Sequence, residues 1–182
     1  MKKILAIVGS NSASSINRKL AAYTGTLFQK AEVEIFDLQG FDVPIFNPDL
    51  EKEKGFPQAV KALFDKLQEQ DGFIIASPEY NGSIPAAFKN MVDWISRIDM
   101  KFLGGKPTLL LSTSPGKNGG ATNLKTLANL IPWWGASLVE AFSLGNFHQE
   151  YDIETEQLSG ETADKFKTLV EKLENAIELV EA

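Results

Sequence analysis

Short apolar runs alternate along the chain with longer stretches in which apolar residues recur at helical spacing. The run at residues 3–8 is apolar at nearly every position, which is typical of a strand covered on both faces of a parallel sheet. The predicted strands span residues 3–8, 33–36, 72–76, 107–111 and 136–142. Strands that alternate with helices favour right-handed crossovers and an α/β fold. Five of them predict the doubly wound, flavodoxin-like strand order 2-1-3-4-5 in one domain over residues 1–182.

The stretches between the strands predict amphipathic helices. The first spans residues 16–30, and the last carries an apolar stripe that ends at Val180. The helix after the third strand is expected to begin with Ser83 as its N-cap and Pro85 in its first turn, where a missing N–H costs nothing. Residues 38–55 hold two prolines and two glycines, and a long surface loop is expected there.

Composition and charge exclude several classes of function. The net charge of −6 argues against a sequence-independent grip on nucleic acid, which needs clustered Lys and Arg. The chain has no cysteine, so disulfides, thiolate metal sites and cysteine nucleophiles are absent. His148 is the only histidine, and nothing near it has metal-ligand spacing. No apolar run approaches the length of a membrane span, so we expect a cytoplasmic protein without a membrane partner.

The loop after the third predicted strand, residues 77–85, is rich in turn-forming residues. In an open α/β sheet such a loop lies at the carboxyl edge, where ligands bind. Pro78, Tyr80 and Gly82 would provide a rigid backbone, an aromatic wall and close approach, and Asn81 a donor and an acceptor. This composition suits a flat polar ring, but an ordinary turn into the following helix would also explain it.

The loop after the first predicted strand, residues 9–18, contains four serines and two asparagines. It lies at a helix N-terminus, which binds anions through unpaired N–H groups and a partial positive charge. The loop matches neither the dinucleotide-binding nor the Walker glycine pattern. It predicts a polar cup for one phosphate monoester, in which Ser14 or Ser15 also caps the helix.

Three loops together closely resemble the NADPH-dependent FMN reductase family, which includes quinone, chromate and azo-dye reductases. The resemblance extends over nearly the whole chain in order and spacing. The matching motifs are Gly9-Ser10 through Ser15-x-Asn17-Arg18, then Pro78-Glu79-Tyr80-Asn81-Gly82-Ser83-Ile84-Pro85 with Lys89-Asn90 and Asp93-Trp94, and finally Ser112-x-Ser114-Pro115-Gly116 with Gly119-Gly120.

The resemblance implies which residues bind FMN, tightly but without a covalent bond. It assigns the FMN phosphate to Ser10, Ser12, Ser15, Ile16 and Asn17; the isoalloxazine ring to Pro78, Glu79, Tyr80, Asn81 and Gly82; and the other side of the flavin to Ser114. Members of the family often carry an arginine two residues after the Gly-Ser pair, where this chain has Ser12. The positive charge expected at the phosphate is therefore absent from that position.

The resemblance implies an FMN-dependent NAD(P)H oxidoreductase. Reduced nicotinamide, as NADPH or NADH, would pass a hydride to the flavin, and a small-molecule acceptor such as a quinone, azo compound, metal oxyanion or free flavin would then be reduced. Since the cofactor performs the chemistry, no catalytic side chain and no metal site are assigned. Two alternatives stay open: an electron carrier that binds FMN without oxidising nicotinamide directly, and a flavin-free binding module on the same fold.

The dipeptide Trp133-Trp134, between Pro132 and Gly135, favours a subunit contact because aromatic residues are enriched at interface cores. The family resemblance also implies dimers or tetramers. A homodimer or homotetramer is therefore expected.

Overall fold

A five-stranded parallel sheet forms the centre of the computed structural model, which describes residues 1–180. Its strand order, β2-β1-β3-β4-β5, confirms the order predicted from the sequence. The strands are β1 (Lys2–Val8), β2 (Ala31–Asp37), β3 (Gly72–Ala76), β4 (Pro107–Thr113) and β5 (Ser137–Leu144). Because all five run parallel, their carboxyl ends and the loops that follow meet at one edge of the sheet.

Helices cover both faces of this sheet and enclose two apolar cores. Helices α1 (Ile16–Thr26) and α7 (Gly160–Leu179) pack on one face, and α3 (Gln58–Gln68), α4 (Ala86–Ile95) and α5 (Ala121–Leu130) on the other. Successive side chains of a strand point to opposite faces, so Ile4, Ala6 and Val8 enter the first core while Leu5 and Ile7 enter the second. Burial on both faces explains why the central strands read as continuous apolar runs.

The chain after β5 forms two small elements that the apolar pattern did not predict. They are α6 (Phe147–Glu150) and an antiparallel pair, β6 (Tyr151–Asp152) and β7 (Gln157–Leu158). None of the helices in residues 1–180 combines the length and the apolar character that crossing a bilayer requires.

The segment expected to be a loop over residues 38–55 contains a helix, α2 (Pro48–Lys54), so that prediction is wrong over these residues. Asn47 caps the helix, with its side-chain oxygen accepting from the N–H of Asp49 at 2.8 Å. Pro48 occupies the first turn, where a proline is tolerated. The proline that indicated a loop therefore marks a helix start.

The start of α4 also differs from the sequence prediction. The helix begins at Ala86, with Pro85 as its N-cap residue, and no side chain caps it. Ser83 was expected to be this cap, but its backbone pairs with Tyr80 in a tight turn. The interaction that Ser83 makes is therefore with its own loop and not with the helix.

Candidate cofactor-binding cleft

A cleft of about 280 Å³ opens at the carboxyl edge of the sheet, where the loops after β1, β3 and β4 meet. Nine of the residues predicted for the site line it: Ser10, Ser12, Ser15, Ile16, Asn17, Pro78, Glu79, Tyr80 and Ser114. Ser14, Thr113 and Pro115 also line the cleft and were not predicted, whereas Asn81 and Gly82 were predicted and do not line it. A larger groove of about 510 Å³ lies beside α3 and the starts of β1 and β2, away from these loops.

The N-terminus of α1 leaves two backbone donors available to a ligand. Ser15 is the N-cap: its Oγ accepts from the N–H of Arg18 at 3.2 Å, and its own N–H donates to the carbonyl of Ser12 at 3.2 Å. The N–H groups of Ile16 and Asn17 open the helix and have no acceptor within it. With the helix dipole, they form a site that favours an anion.

Serine hydroxyls surround these two donors. Ser10 is buried, and its Oγ accepts from the N–H of Ser12 at 3.2 Å, which holds the loop in a tight turn. The hydroxyls of Ser12 and Ser14 lie 3.3 Å apart. A hydroxyl can donate as well as accept, so this loop can supply several hydrogen bonds to phosphate oxygens.

The side chain of Asn17 is committed to the protein. Its Nδ2 donates to the carbonyl of Thr113 and its Oδ1 accepts from the N–H of Thr113, both at 3.0 Å, and the residue is only 1% exposed. These two bonds tie the first turn of α1 to the end of β4. The side chain of Asn17, a residue assigned to the phosphate from the family resemblance, is thus bonded to the protein on both its oxygen and its nitrogen, and its backbone N–H has no acceptor within the helix.

The cleft contains no positive side chain. Arg18 in the first turn of α1 donates from Nε to Asp37 at 2.9 Å and does not line the cleft. No Lys or Arg occurs among the described residues that line it. The attraction for an anion therefore comes from neutral hydroxyls and backbone N–H groups.

A tight two-residue turn follows Glu79. The N–H of Tyr80 donates to the carbonyl of Ser83 at 3.0 Å, and the N–H of Ser83 donates back to the carbonyl of Tyr80 at 3.1 Å. Asn81 and Gly82 between them have φ of 52° and 72°, as a type I′ turn requires. The Asn-Gly pair is a strong sequence signal for this turn, and it would have identified the true partner of Ser83.

The carboxylate of Glu79 faces the start of α5. Its Oε2 accepts from the N–H groups of Thr122 and Asn123, at 2.9 Å each. The family resemblance implies that Glu79 contacts the flavin ring. Nothing in the spacing of residues along the sequence indicates that its carboxylate also binds the start of α5. Glu79 lines the cleft, but its charged end is used by the protein.

The third loop is held against the segment that follows β5. The carbonyl of Ser114 accepts from the N–H of Phe147 at 3.2 Å, and the Ser114 hydroxyl donates to the carbonyl of Gly116 at 3.0 Å. Gly119 adopts φ +60°, and a Cβ there would lie 2.4 Å from Ser143 Oγ. Only glycine permits this approach, which packs the third loop closely against the end of β5.

These observations fit FMN, the group that the family resemblance implies. Two unpartnered N–H groups among serine hydroxyls suit a phosphate monoester, and they stand in the same cleft as Tyr80, which is 46% exposed and can cover one side of a ring. Among residues 1–180, no group of histidine and carboxylate side chains is placed to hold a metal ion. His148 is exposed, its ring packs edge-on against that of Phe147, and it belongs to no such group.

Comparisons with known proteins support the same assignment. Residues 2–150 match the family model of the NADPH-dependent FMN reductases. The chain is 37% identical to a quinone reductase of Escherichia coli K12 over 120 residues, which is 65% of this chain but only 63% of that protein. A 2-hydroxy-1,4-benzoquinone reductase of Burkholderia is 29% identical over 174 residues, or 93% of each chain.

Among solved structures, the flavoenzyme NAD(P)H:(acceptor) oxidoreductase FerB of Paracoccus denitrificans superposes with a TM-score of 0.82 at 29% identity, covering 98% of both chains. The fold is thus shared over 98% of both chains. The resemblance inferred from the three loops is confirmed. The chain belongs to the NADPH-dependent FMN reductase family.

Proposed function

We propose that this protein binds FMN in the cleft and uses it to oxidise NADPH or NADH and to reduce a small-molecule acceptor. The observation that carries the proposal is the pair of unpartnered N–H groups, Ile16 and Asn17, which open among serine hydroxyls into a cleft that the 78–82 loop also lines. An anion site and a site for a flat ring in one cleft match the two ends of FMN. The quinone reductase of Escherichia coli and the benzoquinone reductase of Burkholderia support a quinone as acceptor.

The protein's part in this activity is to bind and orient. FMN held there would supply the redox chemistry, as acceptor of a hydride from reduced nicotinamide and donor of two electrons to the acceptor, and a quinone would take the remaining proton from water. The Ser10, Ser12 and Ser15 hydroxyls and the Ile16 and Asn17 N–H groups hold the phosphate. Because the cofactor would supply the chemistry, no side chain in the cleft is assigned as a general base or a nucleophile.

The loop of residues 78–82, which we call the ring loop, takes the isoalloxazine. Pro78, Glu79 and Tyr80 contribute the surface of the cleft, and Asn81 and Gly82 act indirectly by forming the turn that carries Tyr80. Ser114 closes the side opposite the ring loop. The role of Asn81 and Gly82 is therefore conformational, in contrast to a direct contact with the ring.

Anaerobic stopped-flow spectroscopy tests the proposal. Purified protein reconstituted with FMN should show the flavin bands, and NADPH or NADH alone should bleach them rapidly. Bound flavin that neither nicotinamide bleaches would identify an electron carrier, and absence of flavin bands after FMN addition would identify a flavin-free module. A turnover screen with both nicotinamides against quinones, azo dyes and chromate then identifies the acceptor.

Steady-state kinetics tests whether the two substrates use the cleft in turn. If they do, double-reciprocal plots at several acceptor concentrations should give parallel lines. Intersecting lines without inhibition by excess acceptor would show two separate sites.

We also propose that the protein is a homodimer or homotetramer that contacts its copies through Trp133. This indole is 73% exposed, whereas Trp134 and Trp94 are buried in the apolar core and cannot serve an interface. Replacing Trp133 by serine should shift the sedimentation velocity toward the monomer. A parent that is itself monomeric at micromolar concentration would contradict the assignment. The cytoplasmic location stays a prediction.

A further inference from the structure

The N-terminus of α5 donates hydrogen bonds to the ring loop from its backbone and from one side chain. The N–H groups of Thr122 and Asn123 donate to Glu79 Oε2 at 2.9 Å each. Asn123 Nδ2 donates to the carbonyl of Pro78 and to that of Ser77, the residue before the ring loop, at 3.0 Å each. Three bonds therefore connect α5 with the ring loop and a fourth connects it with Ser77, and each pair lies more than 40 residues apart in the sequence.

Helix α5 has no cap of its own. Its N-cap residue is Gly120 at φ +79°, and no side chain within the helix start accepts from its first N–H groups. A Cβ at Gly120 would lie 2.1 Å from Ser112 Oγ, so the close packing there excludes a serine, threonine or asparagine that could cap the helix locally. Glu79 supplies the missing acceptor from a different loop, and its negative charge faces the positive end of the helix dipole.

Asn123 holds the other side of the connection in one orientation. The residue is fully buried, and its Oδ1 is the one buried side-chain polar atom in residues 1–180 that lacks a hydrogen-bond partner. Reversing the amide would set that oxygen against the carbonyls of Ser77 and Pro78, so the two donated bonds determine the orientation. An unpaired acceptor costs free energy, and the structure retains Asn123 in spite of that cost.

The connection also orients the peptide between Pro78 and Glu79. This peptide is trans and planar, so its N–H points away from the carbonyl that Asn123 binds. The N–H of Glu79 has no acceptor among the described residues and is free to donate to a ligand. The side of the ring loop that presents this donor is thus determined by Asn123.

We propose that Glu79 is a positioning residue whose carboxylate, together with Asn123, holds the ring loop in its binding conformation before FMN arrives. The inference rests on the proposed function, since it concerns the FMN site. Preorganisation of a loop improves affinity because the entropy of ordering the loop is lost on folding and not on binding. Glu79 acts here mainly through its reach to the α5 backbone, and the attraction between its charge and the helix dipole is a smaller contribution.

Two variants separate reach from charge. Glu79→Gln removes the charge but keeps an oxygen that can accept from Thr122 and Asn123, so it should weaken FMN binding by less than Glu79→Asp does. Glu79→Asp keeps the charge but shortens the side chain by one methylene, which breaks the contact. It should weaken FMN binding by about tenfold, about 1.4 kcal/mol, which is within the range for loss of a helix cap.

Glu174 provides a matched control. Its Oε1 accepts from the N–H groups of Gln29 and Lys30 at 3.1 and 3.0 Å, the same chemistry at a place that does not line the cleft. Glu174→Asp should lower the melting temperature of the FMN-free protein about as much as Glu79→Asp does, but should leave the FMN dissociation constant unchanged. A difference between the two variants in FMN binding then reports on the ring loop and not on general stability.

Fluorescence titration of the FMN-free proteins measures the dissociation constants, and visible circular dichroism reports the ring environment. Glu79→Asp should change the circular dichroism of the bound flavin, whereas Glu79→Gln should leave it close to that of the parent. The inference is overturned if Glu79→Asp binds FMN as tightly as the parent. It is also overturned if Glu79→Gln binds FMN as weakly as Glu79→Asp, because the effect would then come from the charge of Glu79 or from its direct contact with FMN. A parent that does not bind FMN contradicts the proposed function instead.

Discussion

Replacing Ser12 by arginine tests whether the FMN phosphate is held by neutral donors alone. Ser12 is exposed at the mouth of the cleft, and its hydroxyl lies 3.3 Å from that of Ser14. No cation lines the cleft among the described residues, and Arg18 is paired with Asp37. An arginine at position 12 would therefore add the first positive side chain to the phosphate site.

The magnitude follows from two opposing terms. A hydrogen bond to a charged group contributes about 1.5–3 kcal/mol. Ordering an exposed arginine side chain costs roughly 1.5–2 kcal/mol. The mid-range values leave a net gain of about 0.5 kcal/mol, equivalent to about twofold tighter FMN binding. The gain should depend on salt, because the screening length falls from about 30 Å at 0.01 M to about 3 Å at 1 M ionic strength.

Titration of FMN fluorescence at these two ionic strengths measures the effect in the parent, Ser12→Arg and Arg18→Ala. Ser12→Arg should bind more tightly than the parent at low salt and lose this advantage at high salt. Arg18→Ala should bind like the parent, since its guanidinium is held at Asp37 with Nε 2.9 Å from Oδ2. If Arg18→Ala alone abolishes both the affinity and its salt dependence, the phosphate is held by a cation and the reasoning is wrong.

Three further predictions concern stability and the ring loop. Asn17→Ala leaves both backbone groups of Thr113 buried and unpaired, so the free energy of unfolding measured in urea should fall by about 2–4 kcal/mol even without FMN. Gly82→Val makes φ +72° unfavourable by about 1–2 kcal/mol for the branched side chain. In the FMN-free protein the exposed turn relaxes out of this conformation, so the melting temperature should stay nearly unchanged, whereas the cost falls on FMN binding and should lower FMN occupancy. A hydrogen bond from Lys172 lowers the pKa of Glu140. The contribution of this ion pair to stability is therefore complete above the ordinary glutamate pKa and is lost as pH falls through the lowered pKa. Glu140→Gln should accordingly reduce the loss of melting temperature in acid.

The apolar pattern was sufficient to predict the sheet. Strands β1, β3 and β4 are buried on both faces, so their sequences are apolar at nearly every position. Such runs identify these segments as strands of a parallel sheet. Parallel strands joined by helices then place the three loops at one edge. The position of the cleft was therefore predictable from local sequence together with the handedness of the crossovers.

Short elements were less predictable because their signals are ambiguous. Pro48 is compatible with a loop and with the first turn of a helix, and Asn47 decides between them only through its bond to the N–H of Asp49. Ser83 suits an N-cap by type, but the Asn81-Gly82 turn uses its backbone instead. In both cases a local pattern permitted two structures, and hydrogen bonding selected one.

The sequence by itself determined the layers, the strand order and the loops that form the cleft, because apolar spacing along the chain reports burial directly. Only the tertiary structure decided how the polar side chains of those loops are used. Asn17 bonds to Thr113, 96 residues away, and Glu79 bonds to Thr122, 43 residues away. No local spacing encodes such pairs, since each partner comes within reach only when the strands have paired and brought their loops to the same edge.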